Sequence, residues 1–196
     1  MVNRKALLIV ASALVTALIL SSLAVMRTAR SEGEVPAATL MLLQIDGIPG
    51  ESSVLDHEHW IDIDAFAWSE AMASLTSAAS GRASGKLNIT AFHFAMTTNN
   101  ASVMLFLACA TGRIIPHASL DVCRPSDGGP VMLLQFEFTG VTITSYSIAG
   151  NAQDDHQYEE FSIAFGKITM TYWQYDDVIG VAAYYDLIAG KGGIVP

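Results

Sequence analysis

The sequence is poor in charged side chains, above all basic ones, and this excludes one class of partner. Only 15% of its 196 residues are charged, with 10 Lys and Arg against 19 Asp and Glu, for a formal net charge of −9. No stretch gathers basic residues into a patch of the kind that binds nucleic-acid phosphates. We therefore expect no nucleic-acid partner.

Catalytic signatures are also missing. The sequence has no Gly-x-Ser-x-Gly, no phosphate-binding glycine loop that ends in Lys-Ser/Thr, and no dinucleotide fingerprint. The acidic residues Asp154, Asp155, Glu159 and Glu160 have the chemistry to bind Ca²⁺ or to act as paired carboxylates, but a solvent-exposed charged face explains them more simply. We expect no enzyme activity, no catalytic residue and no cofactor.

Cysteine is scarce, with Cys109 and Cys123 as the two examples. In an exported protein they could form one disulfide. Cys109, however, lies in an apolar stretch, where a cysteine usually behaves as a small buried hydrophobe. We favour two free cysteines, and we expect substitution of Cys109 by serine to destabilise the protein more than the same change at Cys123.

Residues 56–59, Asp-His-Glu-His, form the one local cluster with metal-ligand side chains. If this stretch were a strand, His57 and His59 would project from the same face, and a zinc site would need His93, His117 or a carboxylate as a further ligand. The spacing is not a recognised ligand signature, and a solvated loop that enters a strand explains it better. We expect no metal, with His57 and His59 as weak candidates.

A long apolar run opens the chain. Two basic residues precede the run 6–20, and residues 22–24 have the small-x-small pattern of a signal peptidase site. Residues 1–30 are therefore predicted as an export segment, cleaved near Val25. The alternative is an uncleaved signal anchor that contacts the membrane through residues 1–26, because about 20 apolar residues can span a bilayer. Either form predicts a secreted or extracytoplasmic protein.

Composition divides the rest of the chain. Residues 31–38 are polar and read as a linker, and residues 39–176 are predicted to form one domain, since 52% of the sequence is hydrophobic. The tail, 177–196, is ambiguous: residues 178–189 could form a short helix, and the remainder is expected to fray.

Within the domain, alternating apolar residues predict a mainly β fold. Two of the strands are long and are divided by Gly140 and Gly166, as a small closed barrel or a strongly coiled sandwich requires. The predicted strands are 39–45, 60–68, 87–94, 118–124, 131–148 and 157–175.

One helix is predicted between the polar residues 98–100, which can cap its first amides, and Gly112, which can end it in a left-handed turn. Residues 103–109 are apolar almost all the way round the helix, so one sheet face cannot cover them. A second subunit is expected to cover the excess. The interface candidates on this helix are Val103, Met104, Phe106 and Leu107.

In order and spacing, these elements resemble the hemolysin-coregulated protein (Hcp) family, the tube subunit of type VI secretion. The resemblance covers residues 40–173. The stretches that carry it are Gly50-Glu51-Ser52, IDIDAFAWS, SGRASGKLNI, FHFAMTTNNASVMLFLACATGR, Pro116-His117 with ASLDVCR, and VTITSYSIAG leading through DDHQYEEFSIAFGKITMTY.

The resemblance implies a two-sheet antiparallel β-barrel with a helix on its flank. It also implies homo-hexameric rings that stack into a tube, with effector proteins as possible cargo in the lumen. In the family the loop corresponding to residues 74–85 reaches toward the neighbouring ring, so Ser77, Ser80 and Arg82 are further interface candidates. Here that loop is rich in Ser and Ala rather than Gly, and the export segment is a second departure from the family.

Two alternatives from other classes stay open. One is an exported or membrane-anchored monomeric β-barrel that binds a partner without assembling into a tube. The other is a hydrolase or metalloenzyme built on residues 56–59.

Overall fold

Runs of alternating apolar residues make this chain mainly β, as the sequence predicts. The computed structural model describes residues 38–73, 86–173 and 180–195. Helix α1 is Ala101–Thr111. The strands are β1 Leu40–Ile45, β2 Ile61–Asp62, β3 Ala65–Ala67, β4 Glu70–Ala73, β5 Lys86–Ile89, β6 Phe92–Thr97, β7 Ile114–Arg124, β8 Val131–Ala149, β9 Tyr158–Ala164, β10 Lys167–Trp173, β11 Gly180–Asp186 and β12 Lys191–Val195.

Strand β8 is the longest strand described, with 19 residues, and it pairs with three others. It runs antiparallel to β7 along most of its length, while its other edge pairs first with β10 and then with β9. The change of partner occurs at Gly140, whose φ is +66°. There the N–H of Gly166 donates to the carbonyl of Thr139 at 2.9 Å. The predicted divisions at Gly140 and Gly166 are therefore confirmed.

The sheet branches at β8. One path runs β12-β11-β10-β8-β7-β1-β2, and a second arm continues from β8 through β9 and β6 to β3. The prediction of one strand over 60–68 is wrong, because β2 pairs with β1 whereas β3 pairs with β6. Between them the N–H of Ile63 donates to Met41 and that of Asp64 to Ala95, both at 2.9 Å. The antiparallel, mainly β architecture is confirmed, but strand pairing among the described residues does not form the closed barrel that the resemblance implies.

Aromatic rings fill the core between the two arms. Phe92 on β6 is fully buried and lies 5.0 Å from Phe94, 5.2 Å from Phe136 and 5.1 Å from Phe138, measured between ring centroids. These offset and edge-on contacts are the arrangements that aromatic pairs favour. They join β6, on one arm of the sheet, to the part of β8 that pairs with β10 on the other.

The tail forms a β-hairpin, so the prediction of a short helix over 178–189 is wrong. β11 pairs with β10 over seven residues, and β12 pairs with β11. The turn between them includes Gly190, with φ +62°, and the N–H of Ala189 donates to the Asp186 carboxylate at 2.7 Å. Long-range pairing with β10 selects the strand here, which local sequence could not reveal.

A second, two-stranded sheet consists of β4 and β5. The predicted loop at 74–85, with Ser77, Ser80 and Arg82, joins these strands and lies outside the described residues. The predicted export segment lies outside them too. Within the described part of the chain, no helix is long and apolar enough to cross a membrane.

The loop between β1 and β2 folds tightly over its own end. The N–H of Gly50 donates to the carbonyl of His59 at 2.7 Å, and the N–H of Ser52 donates to Trp60 at 3.0 Å. A Cβ at Gly50 would overlap the Trp60 carbonyl and the Ile61 backbone. Residue 50 must therefore be glycine for the loop to close.

We expect Gly50→Ala to destabilise the protein by at least about 1–3 kcal/mol, because the backbone must shift to admit a methyl group. Gly128→Ala is the matched control, since a Cβ there meets no atom within 4 Å and its φ is not positive. Urea denaturation of the two variants measures the difference. Equal stabilities would contradict this account of the loop.

Candidate subunit interface

Helix α1 begins at a network of side-chain hydrogen bonds. The Asn99 side-chain oxygen accepts from the N–H of Ala101 at 2.9 Å, and the Ser102 hydroxyl accepts from the N–H of Asn99 at 3.0 Å. The N–H of Asn100 donates to the Glu51 carboxylate at 3.0 Å. A negative charge at this end is favourable, because the first amides of a helix carry a partial positive charge. Of the three residues 98–100 predicted to cap the helix, Asn99 does so with its side chain.

The helix ends as the sequence predicts, at Gly112 with φ +62°. The N–H of Gly112 donates to the carbonyl of Cys109, and that of Arg113 donates to Ala108, both at 3.3 Å. The hydroxyl of Thr111 donates to the carbonyl of Leu107 at 2.8 Å. Both ends of α1 are thus fixed, and its orientation on the sheet is set.

The inner face of α1 is narrow and made of small side chains with one leucine. Its buried residues are Ala101, Ser102, Leu105 and Ala108. Leu105 is fully buried in the aromatic core. The small residues allow the helix to lie close to the sheet, so a single row of side chains is enough to attach it.

The outer face of α1 is apolar and open to solvent. Val103 is 72% exposed, Met104 37%, Phe106 57% and Leu107 53%. No residue of the helix is charged. A helix on the surface of a monomer normally turns polar side chains to water. The predicted interface candidates on the helix therefore share one exposed face.

Behind this face, the Phe106 ring meets the ring of Tyr146 on β8 edge-on, with centroids 6.3 Å apart. Burial raises the pKa of Tyr146 to about 12, and the neighbouring carboxylate of Glu159 adds to the shift. The Tyr146 hydroxyl interacts electrostatically with the Glu159 carboxylate but forms no well-aligned hydrogen bond with either of its oxygens. Tyr146 therefore stays neutral near pH 7 and supports Phe106 from below.

The acidic residues named from the sequence do not form one group. Glu159 lies on β9 and is fully buried, whereas Glu160 on the same strand is exposed on the other face. Asp154 and Asp155 are exposed in the preceding loop. The alternation of β9 separates these carboxylates, so they are not arranged as a paired catalytic or Ca²⁺ site.

The two histidines considered as metal ligands do not lie on a strand. His57 is buried, and its Nε2 lies 3.0 Å from the Asp121 carboxylate. His59 is exposed, with φ +67°, in the loop before β2. Because this stretch is a loop, as the sequence favours, and not the strand that a zinc site would need, the two side chains do not share a face. Among the residues described, no group of three or more His, Cys, Asp or Glu is placed to hold a metal ion.

Sequence reasoning missed the role of Asp121. Its carboxylate accepts from Ser119 at 3.2 Å and from Gln135 at 2.9 Å, in addition to its contact with His57. Hydrogen bonds from three sides satisfy this buried charge and attach the β1–β2 loop to β7. The one signal for this role in the sequence is that Asp121 lies among the apolar residues of a predicted strand.

The cysteines are both free, and their environments are the reverse of those predicted. Cys123 on β7 is fully buried, with its sulfur 3.8 Å from that of Met132. Cys109 on α1 is partly exposed. The helix turns its smallest residues inward, so Cys109 packs against the core but is only partly buried.

Comparison with known families gives a match over most of the sheet. The family model described as "Type VI secretion system effector, Hcp" matches residues 42–172. Protein hcp1 of Pseudomonas aeruginosa is 24% identical over 134 residues, which is 67% of this chain and 82% of that protein.

Solved structures give the same result for the fold. The crystal structure of Hcp1 from Salmonella typhimurium is 28% identical, with a TM-score of 0.67, and the match covers 79% of this chain and 99% of that one. A type VI secretion system effector from Yersinia pestis is also 28% identical, with a TM-score of 0.63 over 74% of this chain and 98% of that one.

The link between Glu51 and the helix can be tested with an isosteric change. We expect Glu51→Gln to destabilise the protein by about 0.5–1 kcal/mol, because the negative charge at the start of α1 is lost. Glu58→Gln, an exposed change in the same loop, should have little effect. Chemical denaturation at low ionic strength compares them. An equal loss from both variants would show that the helix end is not involved.

Thiol reactivity tests the reversed cysteine environments. Burial, and then the charge of Asp121, raises the pKa of Cys123 to about 11. At pH 8 we expect Ellman's reagent to modify Cys109 first, because Cys123 is neither ionised nor accessible. Cys109→Ala should abolish the fast reaction, and denaturant should restore one reactive thiol in that variant. A fast reaction that survives Cys109→Ala would contradict the assignment.

Proposed function

The chain belongs to the Hcp family of type VI secretion proteins, and we propose that it is a tube subunit that assembles through the outer face of α1 into closed rings. Membership rests on the family match over residues 42–172. Assembly into a ring is the part of this proposal that goes beyond family membership. Six subunits per ring is the number that the resemblance implies.

The observation that carries this proposal is the uncharged outer face of α1. Val103, Phe106 and Leu107 are each more than half exposed. Contiguous apolar side chains on a soluble protein are typical of an interaction site. They project from a helix that is fixed at both ends, so the face has a defined shape before any partner binds.

A ring requires this face to meet a different surface of the next copy. If the same faces met each other, a two-fold axis would relate the copies and assembly would stop at a dimer. A head-to-tail contact repeats instead, and it closes when the rotation per subunit divides a full turn. Such a contact must bury about 1,000 Å² or more in total to be specific.

Stacked rings would form a tube with room for effector proteins in its lumen. This part of the proposal comes from the family, and the loop at 74–85 is the candidate for contact between rings. The residues proposed there are Ser77, Ser80 and Arg82. We further propose that the predicted export segment delivers the chain outside the cytoplasm, with cleavage near Val25.

Charge opposes assembly at low salt. Removal of residues 1–24 leaves eight basic and 19 acidic residues, a net charge of −11. Identical copies therefore repel each other at long range, and salt screens this repulsion over about 10 Å at 0.1 M. The apolar face is where like-charged copies can approach most closely.

Size-exclusion chromatography with light scattering on the chain that begins at Val25 tests the ring. We expect a closed oligomer that is more populated at moderate than at low salt. Phe106→Glu should reduce its population at least tenfold, because a charge then enters an apolar contact. Asn151→Asp is the matched control: it adds the same charge in an exposed loop and keeps the acceptor for the N–H of Gln153.

A strict monomer at both salt concentrations, with the fold intact by circular dichroism, would overturn the ring. The exported monomeric binding module would then be the better interpretation.

A further inference from the structure

A second exposed apolar face continues from the core along the C-terminal hairpin. Directly opposite residues in antiparallel strands share one face of the sheet. One such row crosses four strands, from Phe136 on β8 through Met170 and Ala183 to Ile194 on β12. The neighbouring row is Leu134, Tyr172 and Val181. We call the exposed large side chains of these rows the hairpin face: Met170, Tyr172, Val181 and Ile194.

The side chains of this face become more exposed with distance from the core, from β8 toward β12. Phe136 is 5% exposed, whereas Met170 is 43%, Tyr172 54%, Val181 58% and Ile194 69%. The face that is buried under the aromatic core is therefore open to solvent toward β12 in the described structure. An inward sheet face without a cover is unusual for a soluble protein.

The two sides of the hairpin differ sharply in charge. The hairpin face carries no charged residue. On the opposite side, Lys167 pairs with Asp186, and Asp186 pairs with Lys191. The charged side has the composition of a solvent face, and the uncharged side has the composition of a contact.

We infer that the hairpin face of one copy receives the outer face of α1 from the next copy, an inference that rests on the proposed ring. In a chain of net charge −9, both surfaces are uncharged, apolar and exposed. Two acidic copies can therefore bring these surfaces together without burying an unpaired charge. The outer face of α1 supplies bulky side chains to a sheet face that includes the small residue Ala183.

The dimensions of the two surfaces match. An 11-residue helix is about 16 Å long and about 10 Å wide. Strands β10 and β11 have seven residues each and so extend about 23 Å. Three neighbouring strands span about 10 Å between the axes of the outer two. One helix therefore covers the open part of β10–β12.

The geometry of a single chain makes this contact head-to-tail. α1 lies against β8 at Tyr146, whereas the hairpin face is attached to β8 through β10, whose Tyr172 pairs with Leu134. These positions are 12 residues apart on β8 and lie on opposite sides of the division at Gly140. The two faces are thus separate surfaces of one subunit, and their pairing between copies has the heterologous form that a ring needs.

Disulfide trapping on the full chain, purified in mild detergent, tests the pairing. In a Cys109→Ala background, Val103→Cys or Leu107→Cys is combined with Val181→Cys or Ile194→Cys, which gives four double variants. Mild oxidation should give a ladder of linked subunits in at least one variant, visible on a non-reducing gel and lost on reduction. The matched control replaces Ile194→Cys by Val195→Cys. Val195 is the next residue, is also exposed and lies on the opposite side of β12.

We expect at least tenfold more linked product from the trapping variant than from its Val195→Cys control. Light scattering under reducing conditions is recorded on the same samples. Rings without a ladder in any of the four variants, or with an equal ladder in the control, would overturn the inference and leave the ring standing. Monomers under reducing conditions, together with a monomeric parent chain, would overturn both.

Discussion

The fold depends on one constraint, which is that strand β8 must satisfy three partners at once. Its 19 residues pair with β7 on one edge, and with β10 and then β9 on the other. A straight β8 could not pair with both β10 and β9 along the same edge. That edge of β8 therefore changes partner at Gly140, where glycine adopts a positive φ. The same point joins β9 to β10 through Gly166. Everything else is arranged along β8: the aromatic core lies between the two arms, α1 lies on the β9 half at Tyr146, and the C-terminal hairpin lies beyond β10.

Helix α1 shows how a short apolar helix can be stable on a sheet and still be incomplete. Its attachment uses one row of mostly small side chains, with Leu105 as the main apolar anchor. The opposite row is just as apolar but meets water in the single subunit. Helices of this length gain most of their stability from packing rather than from intrinsic propensity. A partner that covers the outer face therefore stabilises the helix and the assembly together.

Local signals predicted the parts of this fold that local physics decides. The helix with its Gly112 end and the divisions at Gly140 and Gly166 carry residue types with strong backbone preferences. The errors have a common cause in long-range pairing. The predicted strand 60–68 is broken at Ile63–Asp64 because β2 pairs with β1 whereas β3 pairs with β6. The tail is a hairpin because β11 pairs with β10. The candidate interface likewise has one part that local sequence predicts and one part that depends on long-range pairing. The outer face of α1 was predictable from its composition, whereas the hairpin face appears only once the register of four strands is known.

The position of the outer face of α1 also depends on polar contacts away from it. The β1–β2 loop is fastened at one point by Gly50 against Trp60 and at another by His57 against the buried Asp121. Between these points the loop carries Glu51, which holds the first turn of α1 through Asn100. The first attachment closes the loop on itself and the second holds it to β7, so the start of α1 is hydrogen-bonded to a loop of fixed position. An interface that is fixed before binding loses less conformational entropy when it binds. In the proposed ring the buried polar contacts would act on assembly through geometry, and neither His57 nor Asp121 would need to touch a second subunit.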